Sequence, residues 1–254
     1  MTTTAIVSAL KEEQQGLLEL LQTPERVTRA GRDFWRGHLH GQPVVLALSR
    51  VGKVAAATTA TTLIEHFGAG RIVFTGVAGG IGTDVNVGDV VIASSFVQHD
   101  LNASPLFPRY QVPLYGRSVF DCDTTLNAML YIANYSIPTW EKSCFDGSSA
   151  ARAFKIHQGL VASGDRFVCG AAESLALQAA LQGAGFMPLA VEMEGAAVAQ
   201  VCFDYGVPFA AVRIISDRAD DAAHVDFQKF VTEVASRYSV AIIDGFMRQL
   251  PAIK

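Results

Sequence analysis

Three stretches of the chain bring carboxylates to points where an extended apolar run gives way to a helix or a loop, and acids in such places can move protons. Met187-Pro-Leu-Ala-Val191 ends in Glu192-Met193-Glu194 and continues as Gly195-Ala-Ala-Val-Ala-Gln-Val-Cys202; Thr3 to Ala9 runs into Leu10-Lys11-Glu12-Glu13; Phe209 to Ile215 closes on Ser216-Asp217. An apolar β-rich run followed by helical spacing reads as a strand turning into a helix. Each acid therefore falls at a strand's C-terminal end, which faces the ligand crevice in open α/β sheets. Alternation along an extended backbone points Glu192 and Glu194 to one side and Met193 to the other. A plain structural reading stands beside this, since carboxylates in a first helical turn complement the helix dipole by roughly 0.3–1 kcal/mol. For Glu12, Glu13, Glu192 and Glu194 both readings are open, and Asp217, a third acid at a similar strand end, favours the chemical one.

Other chemistries find less support. Gly76-Val-Ala-Gly-Gly-Ile-Gly82 follows the strand Arg71 to Thr75 and reads as a glycine-rich turn that would let backbone amides approach a ligand. It is no dinucleotide fingerprint, because Ala78 holds the second glycine's place and no acid follows at the required remove. Gly52-Lys53 lacks the leading glycine and trailing Ser/Thr of a phosphate-binding loop. There is no Gly-x-Ser-x-Gly elbow for a serine nucleophile. His99 and His224 have no metal-ligand spacing and read as loop or surface histidines. What remains is acid/base work on a neutral polar small molecule, with Arg213 and Phe167 as the available cation and aromatic ring.

The elements that must position these groups form one α/β domain over residues 1–254, half of them hydrophobic, enough for one large core. A net charge of -4 without a basic cluster argues against nucleic acid as a partner. No run of about 18 apolar residues fits a membrane span, and the start lacks a basic region ahead of an apolar one. A soluble, cytoplasmic protein is expected. Cys122, Cys144, Cys169 and Cys202 are scattered, suggesting neither zinc nor disulfides. Phe34 to Leu39 and Pro43 to Ser49 read as a hairpin over His40-Gly41-Gln42. Further strands fall at Val90 to Val97 and His157 to Ser163. Helices are predicted from Leu10, from Gly52 to about His66, from Asp121 (or Asp123 as cap) to Ala133, at Ala171 to Leu181, from Gly195, and at Phe227 to Met247. This alternation predicts a central mixed, mostly parallel twisted sheet flanked by helices. Leu101 to Arg117, with Pro105, Pro108, Tyr110, Pro113 and Tyr115, is a stiffened irregular loop of the kind used for function or interfaces. Pro138 to Ser149 reads as polar loop.

Taken together, Ser8-Ala9-Leu10-Lys11-Glu12-Glu13, Val51-Gly52-Lys53-Val54-Ala55-Ala56-Ala57, Thr75-Gly76-Val77-Ala78-Gly79-Gly80, Val87-Gly88-Asp89, Ser163-Gly164-Asp165-Arg166-Phe167, Val191-Glu192-Met193-Glu194 and Arg213-Ile214-Ile215-Ser216-Asp217 resemble the nucleoside phosphorylase superfamily. Within it they look most like the 5'-methylthioadenosine/S-adenosylhomocysteine nucleosidases, on the strength of Glu13 and the surroundings of Asp217. The resemblance implies a nucleoside phosphorylase-like fold, hydrolysis of the N-glycosidic bond with release of adenine, no cofactor or metal, and a homodimer with residues 101–115 at its interface. It also implies roles. Asp217, held by Ser216, would protonate N7 of the base; Glu13 would activate water, with Glu12 one register step away. Glu194 would bind the ribose hydroxyls above Met193. Phe167 would stack on adenine, the Val168 backbone would read its edge, and Phe227 would close the base pocket. Ala9 and Val51 would line the base and sugar region, and Arg213 would lie near the water.

That assignment is chemically coherent. Breaking a ribosyl C–N bond develops oxocarbenium character on the sugar and negative charge on the purine, calling for an acid at the base and carboxylates near the sugar. Asp217 must then carry a proton while Glu13 is ionised. Two departures stand out: Val77 holds the place where such nucleosidases often have Ser, and Asn102 to Leu114 differs in composition from the usual loop. Arg109, in that loop, could be a surface residue, an interface partner or a reader of a polar 5' group. The rival readings are phosphorolysis, hydrolysis of another 5'-modified adenosine such as aminodeoxyfutalosine, and non-catalytic nucleoside binding.

Overall fold

The computed structural model describes residues 2–135 and 154–250; the predicted Pro138 to Ser149 loop and Cys144 lie outside them. β1 (Thr3–Ser8) lies between β4 (Gln42–Leu48) and β5 (Ala69–Gly80), parallel to both. An antiparallel meander, β2 (Gln22–Arg29), β3 (Arg32–Leu39) and β4, extends the sheet on one side, with the predicted hairpin at its inner end. β2 escaped the sequence reading because it is a polar edge strand, exposed along nearly its whole length, with no apolar alternation.

On the other side the sheet closes on itself. β10 (Phe209–Asp217) pairs with β5 in parallel and with β6 (Val90–Gln98) antiparallel; β6 pairs with β8 (Ile156–Ser163) and β8 with β9 (Ala190–Glu192), both in parallel. β9 then returns antiparallel to the end of β5 through Gly79↔Val191 and Gly80↔Ala190. The expected mixed α/β sheet is thus present, and part of it forms a barrel-like ring instead of an open crevice. Register shifts at Ile215/Asp217 in β10 and at Ala93/Ser95 in β6 supply the local bending that closure needs. The short β7 (Val119–Asp121) pairs with β6.

Helices cover both faces. α2 (Lys53–Glu65) and α5 (Gly195–Tyr205) bury Ala56, Ala60, Leu63, Ala196, Val198 and Cys202 against one face. α1 (Lys11–Leu20), α3 (Thr124–Tyr135) and α7 (Ser236–Gln249) bury Leu17, Leu130, Ile242 and Phe246 against the other. α4 (Ala171–Gly183) follows the loop after β8. Of the two cap candidates for α3, Asp123 does the work, its Oδ1 accepting from Leu126 N–H at 2.8 Å. The predicted terminal helix begins earlier, as α6 (Ala223–Phe230), and reaches α7 through one π-helical segment, Val231–Ala235. None of the described helices is long and apolar enough to cross a membrane.

Gly76 to Gly80, expected as a turn, is the last part of β5. Its glycines serve close approach: a Cβ on Gly76 would lie 3.0 Å from Glu13 Oε1, and one on Gly79 would lie 2.9 Å from Asp217 Oδ1. A side chain at either position would displace a carboxylate.

Candidate active site

Glu13 sits at the third position of α1 and is 1 % exposed, whereas Glu12 points to solvent. Its Oε2 accepts from the N–H groups of Ala9 (2.9 Å) and Leu10 (3.0 Å), and its Oε1 from Val77 N–H in β5 at 3.0 Å. The bond to Leu10 makes Glu13 a cap for its own helix, so the structural and chemical readings coincide in one residue. Burial raises the Glu13 pKa above the ordinary carboxylate range, while the Leu10 N–H, the charge of Arg213, and the Val77 and Ala9 N–H groups pull the other way.

Asp217 is 1 % exposed at the end of β10. Ser216 Oγ donates to its Oδ2 and Ala219 N–H to its Oδ1, each at 2.8 Å. Ala219 adopts φ 51° to make that bond, a left-handed turn immediately after the strand.

The two glutamates after Val191 take different tasks. Glu192, 7 % exposed, borders the cavity but its oxygens are taken up by the protein: it accepts from Gly195 N–H at 2.9 Å, from Arg213 Nη2 at 2.8 Å and from Ser163 Oγ. It is the helix-capping acid of the structural reading. Glu194 Oε1 accepts from Gly52 N–H at 2.8 Å across the cavity mouth. Desolvation and the neighbouring Glu192 charge push the Glu194 pKa up to about 8. A carboxylate whose folded-state pKa exceeds its unfolded value loses stability as pH rises between the two, here from 4.5 to about 8. Glu194→Gln keeps the acceptor for Gly52 and never ionises. Its melting temperature should match wild type near about pH 5 and exceed it near about pH 9, by the equivalent of a few kcal/mol at most. Parallel melting curves across that range would remove Glu194 as the titrating group.

These side chains meet at a cavity of about 380 Å³, within the ordinary range for small-molecule sites. Ala9, Glu13, Val51, Phe167, Val168, Met193, Glu194, Ser216, Asp217 and Phe227 all line it. Phe167 and Phe227 meet edge to face at 5.4 Å on its outer side. Arg213, expected at the water, stands behind the wall: its guanidinium bonds to Glu192 and to the Phe74 carbonyl (3.1 Å) and lies 4.2 Å from the centroid of the Phe74 ring. It reaches the cavity through its field on Glu13 and Glu194. Leu10, Val77, Ala78, Gly79, Arg166, Val191 and Glu192 complete the lining; none was assigned a binding or catalytic role from the sequence, although each lies inside a motif that was quoted. His99 is not a surface histidine: it is 5 % exposed, its ring packed over Gly164, and burial lowers its pKa. His224 is exposed on α6. Among the described residues no group of three or more His, Cys, Asp or Glu could hold a metal ion.

A family model described as the phosphorylase superfamily matches residues 3–248. The chain belongs to that superfamily. A 5'-methylthioadenosine/S-adenosylhomocysteine nucleosidase from Chromohalobacter salexigens is 34% identical to this superfamily member over 247 residues, 97% of each chain. The Neisseria meningitidis nucleosidase of that name, solved with methylthio-immucillin-A, superposes with a TM-score of 0.85 at 31% identity, covering 98% of this chain and 100% of the other. A futalosine hydrolase of Helicobacter pylori superposes at 0.84 with 30% identity, covering 98% of each chain. The mixed α/β fold, its barrel-like ring included, is therefore that of the superfamily.

Proposed function

We propose that the chain hydrolyses the N-glycosidic bond of 5'-methylthioadenosine and S-adenosylhomocysteine, releasing adenine. The observation that carries the reading is Glu13, a buried carboxylate whose oxygens take three backbone N–H groups beside a mainly apolar cavity, with Asp217 of β10 set against Gly79, three residues along β5 from the Gly76 that Glu13 abuts. Ionised Glu13 takes a proton from water as it attacks the anomeric carbon. Asp217, oriented by Ser216, delivers a proton to N7 so that adenine leaves neutral. Glu194 holds the ribose hydroxyls over Met193, Phe167 and Phe227 enclose the base, and the Val168 backbone reads its edge. Ala9 and Val51 shape the sugar side, and Arg213 acts through its charge. No cofactor or metal is required.

A carboxylate at the nucleophile position repels phosphate, and Val77 adds an apolar wall there, which supports water over phosphorolysis. The test is adenine release from 5'-methylthioadenosine with and without phosphate, followed by analysis of the sugar. Release independent of phosphate with free methylthioribose is expected; a phosphate requirement with a sugar 1-phosphate would overturn hydrolysis. The likeness to a futalosine hydrolase keeps a second reading, hydrolysis of another 5'-modified adenosine, which a higher kcat/KM for such a substrate would reveal.

The proposal extends to a cytoplasmic homodimer acting in nucleoside breakdown and methionine salvage as a single nucleoside phosphorylase-like domain. Leu106 and Leu114, 84% and 91% exposed, support an interface at residues 101–115. Arg109 stacks on Tyr110, 4.7 Å from its ring centroid, within the same loop.

A further inference from the structure

Lys53, Asp100 and Asp165 are far apart in the chain and stand outside the cavity lining, yet each bonds to the next. Lys53 N–H donates to Asp165 Oδ1 at 2.8 Å, Asp165 N–H donates to Asp100 Oδ2 at 2.8 Å, and Lys53 Nζ donates to Asp100 Oδ1 at 2.5 Å, closing a ring. Lys53 Nζ also donates to Gln98 Oε1 at 3.1 Å, and Gln98 Nε2 to Gln200 Oε1 of α5 at 3.0 Å. Burial works against the Asp100 charge, but the Lys53 ammonium and the Asp165 N–H hold its pKa below the ordinary range.

The ring joins the two walls of the cavity. Lys53 follows Val51, which lines it, and Gly52, whose N–H holds Glu194. Asp165 precedes Arg166, Phe167 and Val168, which line the other side. Gly52 adopts φ 97°, and a Cβ there would lie 3.2 Å from Asp165 Oδ1, so the two segments touch at backbone level. Val51 and Gly52 lead into the first residue of α2, Lys53, while Asp165 lies in the irregular stretch after β8, and the Lys53 ammonium also stands 3.9 Å from Asp165 Oδ2.

We propose that Lys53, Asp100 and Asp165 are positioning residues, a clasp that sets the spacing between the sugar wall and the base wall. The proposal rests on the nucleoside reading of the cavity. A ligand that spans both walls needs the spacing, whereas free adenine needs only the base wall. A charge-assisted bond lost from the ring lets the walls drift, at a cost in binding of about tenfold.

The test compares 5'-methylthioadenosine as substrate with adenine as competitive inhibitor. In Lys53→Met we expect KM for the nucleoside to rise by about tenfold, kcat to stay within about threefold, and the adenine inhibition constant to stay within about twofold. Asp165→Ala, which removes the acceptor for Lys53 N–H, should behave like Lys53→Met, and Asp165→Asn, which retains it, should restore the nucleoside KM. Asp165 is half exposed, so this pair carries the test if Lys53→Met does not fold. Nucleoside and adenine weakening in parallel, or a lower melting temperature with unchanged KM, would overturn the clasp. If wild type releases no adenine, hydrolysis falls, and calorimetric Kd values for the same nucleoside across these variants still decide the clasp. A wild type that binds no nucleoside overturns both.

Discussion

Asp217→Asn folds as wild type does and loses about 100- to 10,000-fold in kcat, the ordinary worth of one positioned acid. The amide fits the site. Its oxygen can keep the Ala219 N–H bond now 2.8 Å long, and its NH2 can donate to Ser216 Oγ, which lies 3.4 Å from the Ala78 carbonyl and can turn toward it. What Asn cannot do is release a proton to a leaving base. The loss should therefore fall on kcat with little change in KM, and the far-UV spectrum and melting temperature should stay close to wild type. Turnover within about threefold of wild type would remove Asp217 as the acid.

Glu13→Gln should be as inactive, for two reasons that add. The amide is no base, and only one of its terminal atoms can accept. With three N–H groups converging on the carboxylate, the NH2 must face at least one of them, either Val77 or the pair Ala9 and Leu10. An unmet buried donor costs about 1–3 kcal/mol, so this variant should also melt lower, unlike Asp217→Asn. Glu12→Gln is the control and should retain activity, because Glu12 is exposed. The wild-type pH profile carries the matching signature. Glu13 must be ionised to act, and its pKa is raised, so kcat/KM should fall with decreasing pH on a limb lying above the ordinary glutamate value of 4.5. A limb at or below that value would mean the base is another group.

Much of this site could be read from the sequence, but unevenly. That Glu13 and not Glu12 turns inward was present as helix phase: Leu17, one turn on, is fully buried on the same face. The ends of β1 and β10 carried their acids as the apolar runs implied, since a strand's end is where side chains leave the core. Glu192 and Glu194 could not be separated by pattern alone, because the split between capping and cavity depends on Arg213, Ser163 and Gly52, all distant in sequence. Closure of the sheet was hidden for the same reason. β9 is three residues long, and its antiparallel return to Gly79 and Gly80 leaves no local signature. The glycines of β5 were misread because close approach to a side chain and a turn ask for the same residue. His99 does lie in the turn after β6, as a loop reading has it, but the burial of its ring against Gly164 is a tertiary fact with no local signal.

β5 also acts as a ruler. Gly76 and Val77 abut Glu13, and Gly79 abuts Asp217, so the base and the acid are indexed to one strand at a separation of three residues, about 10 Å of extended chain. Because the graduations are backbone atoms, substitutions elsewhere in the core can shift packing without changing the interval. A single inserted residue between Val77 and Gly79 would lengthen it by about 3.3 Å and put a different backbone atom against one of the two acids.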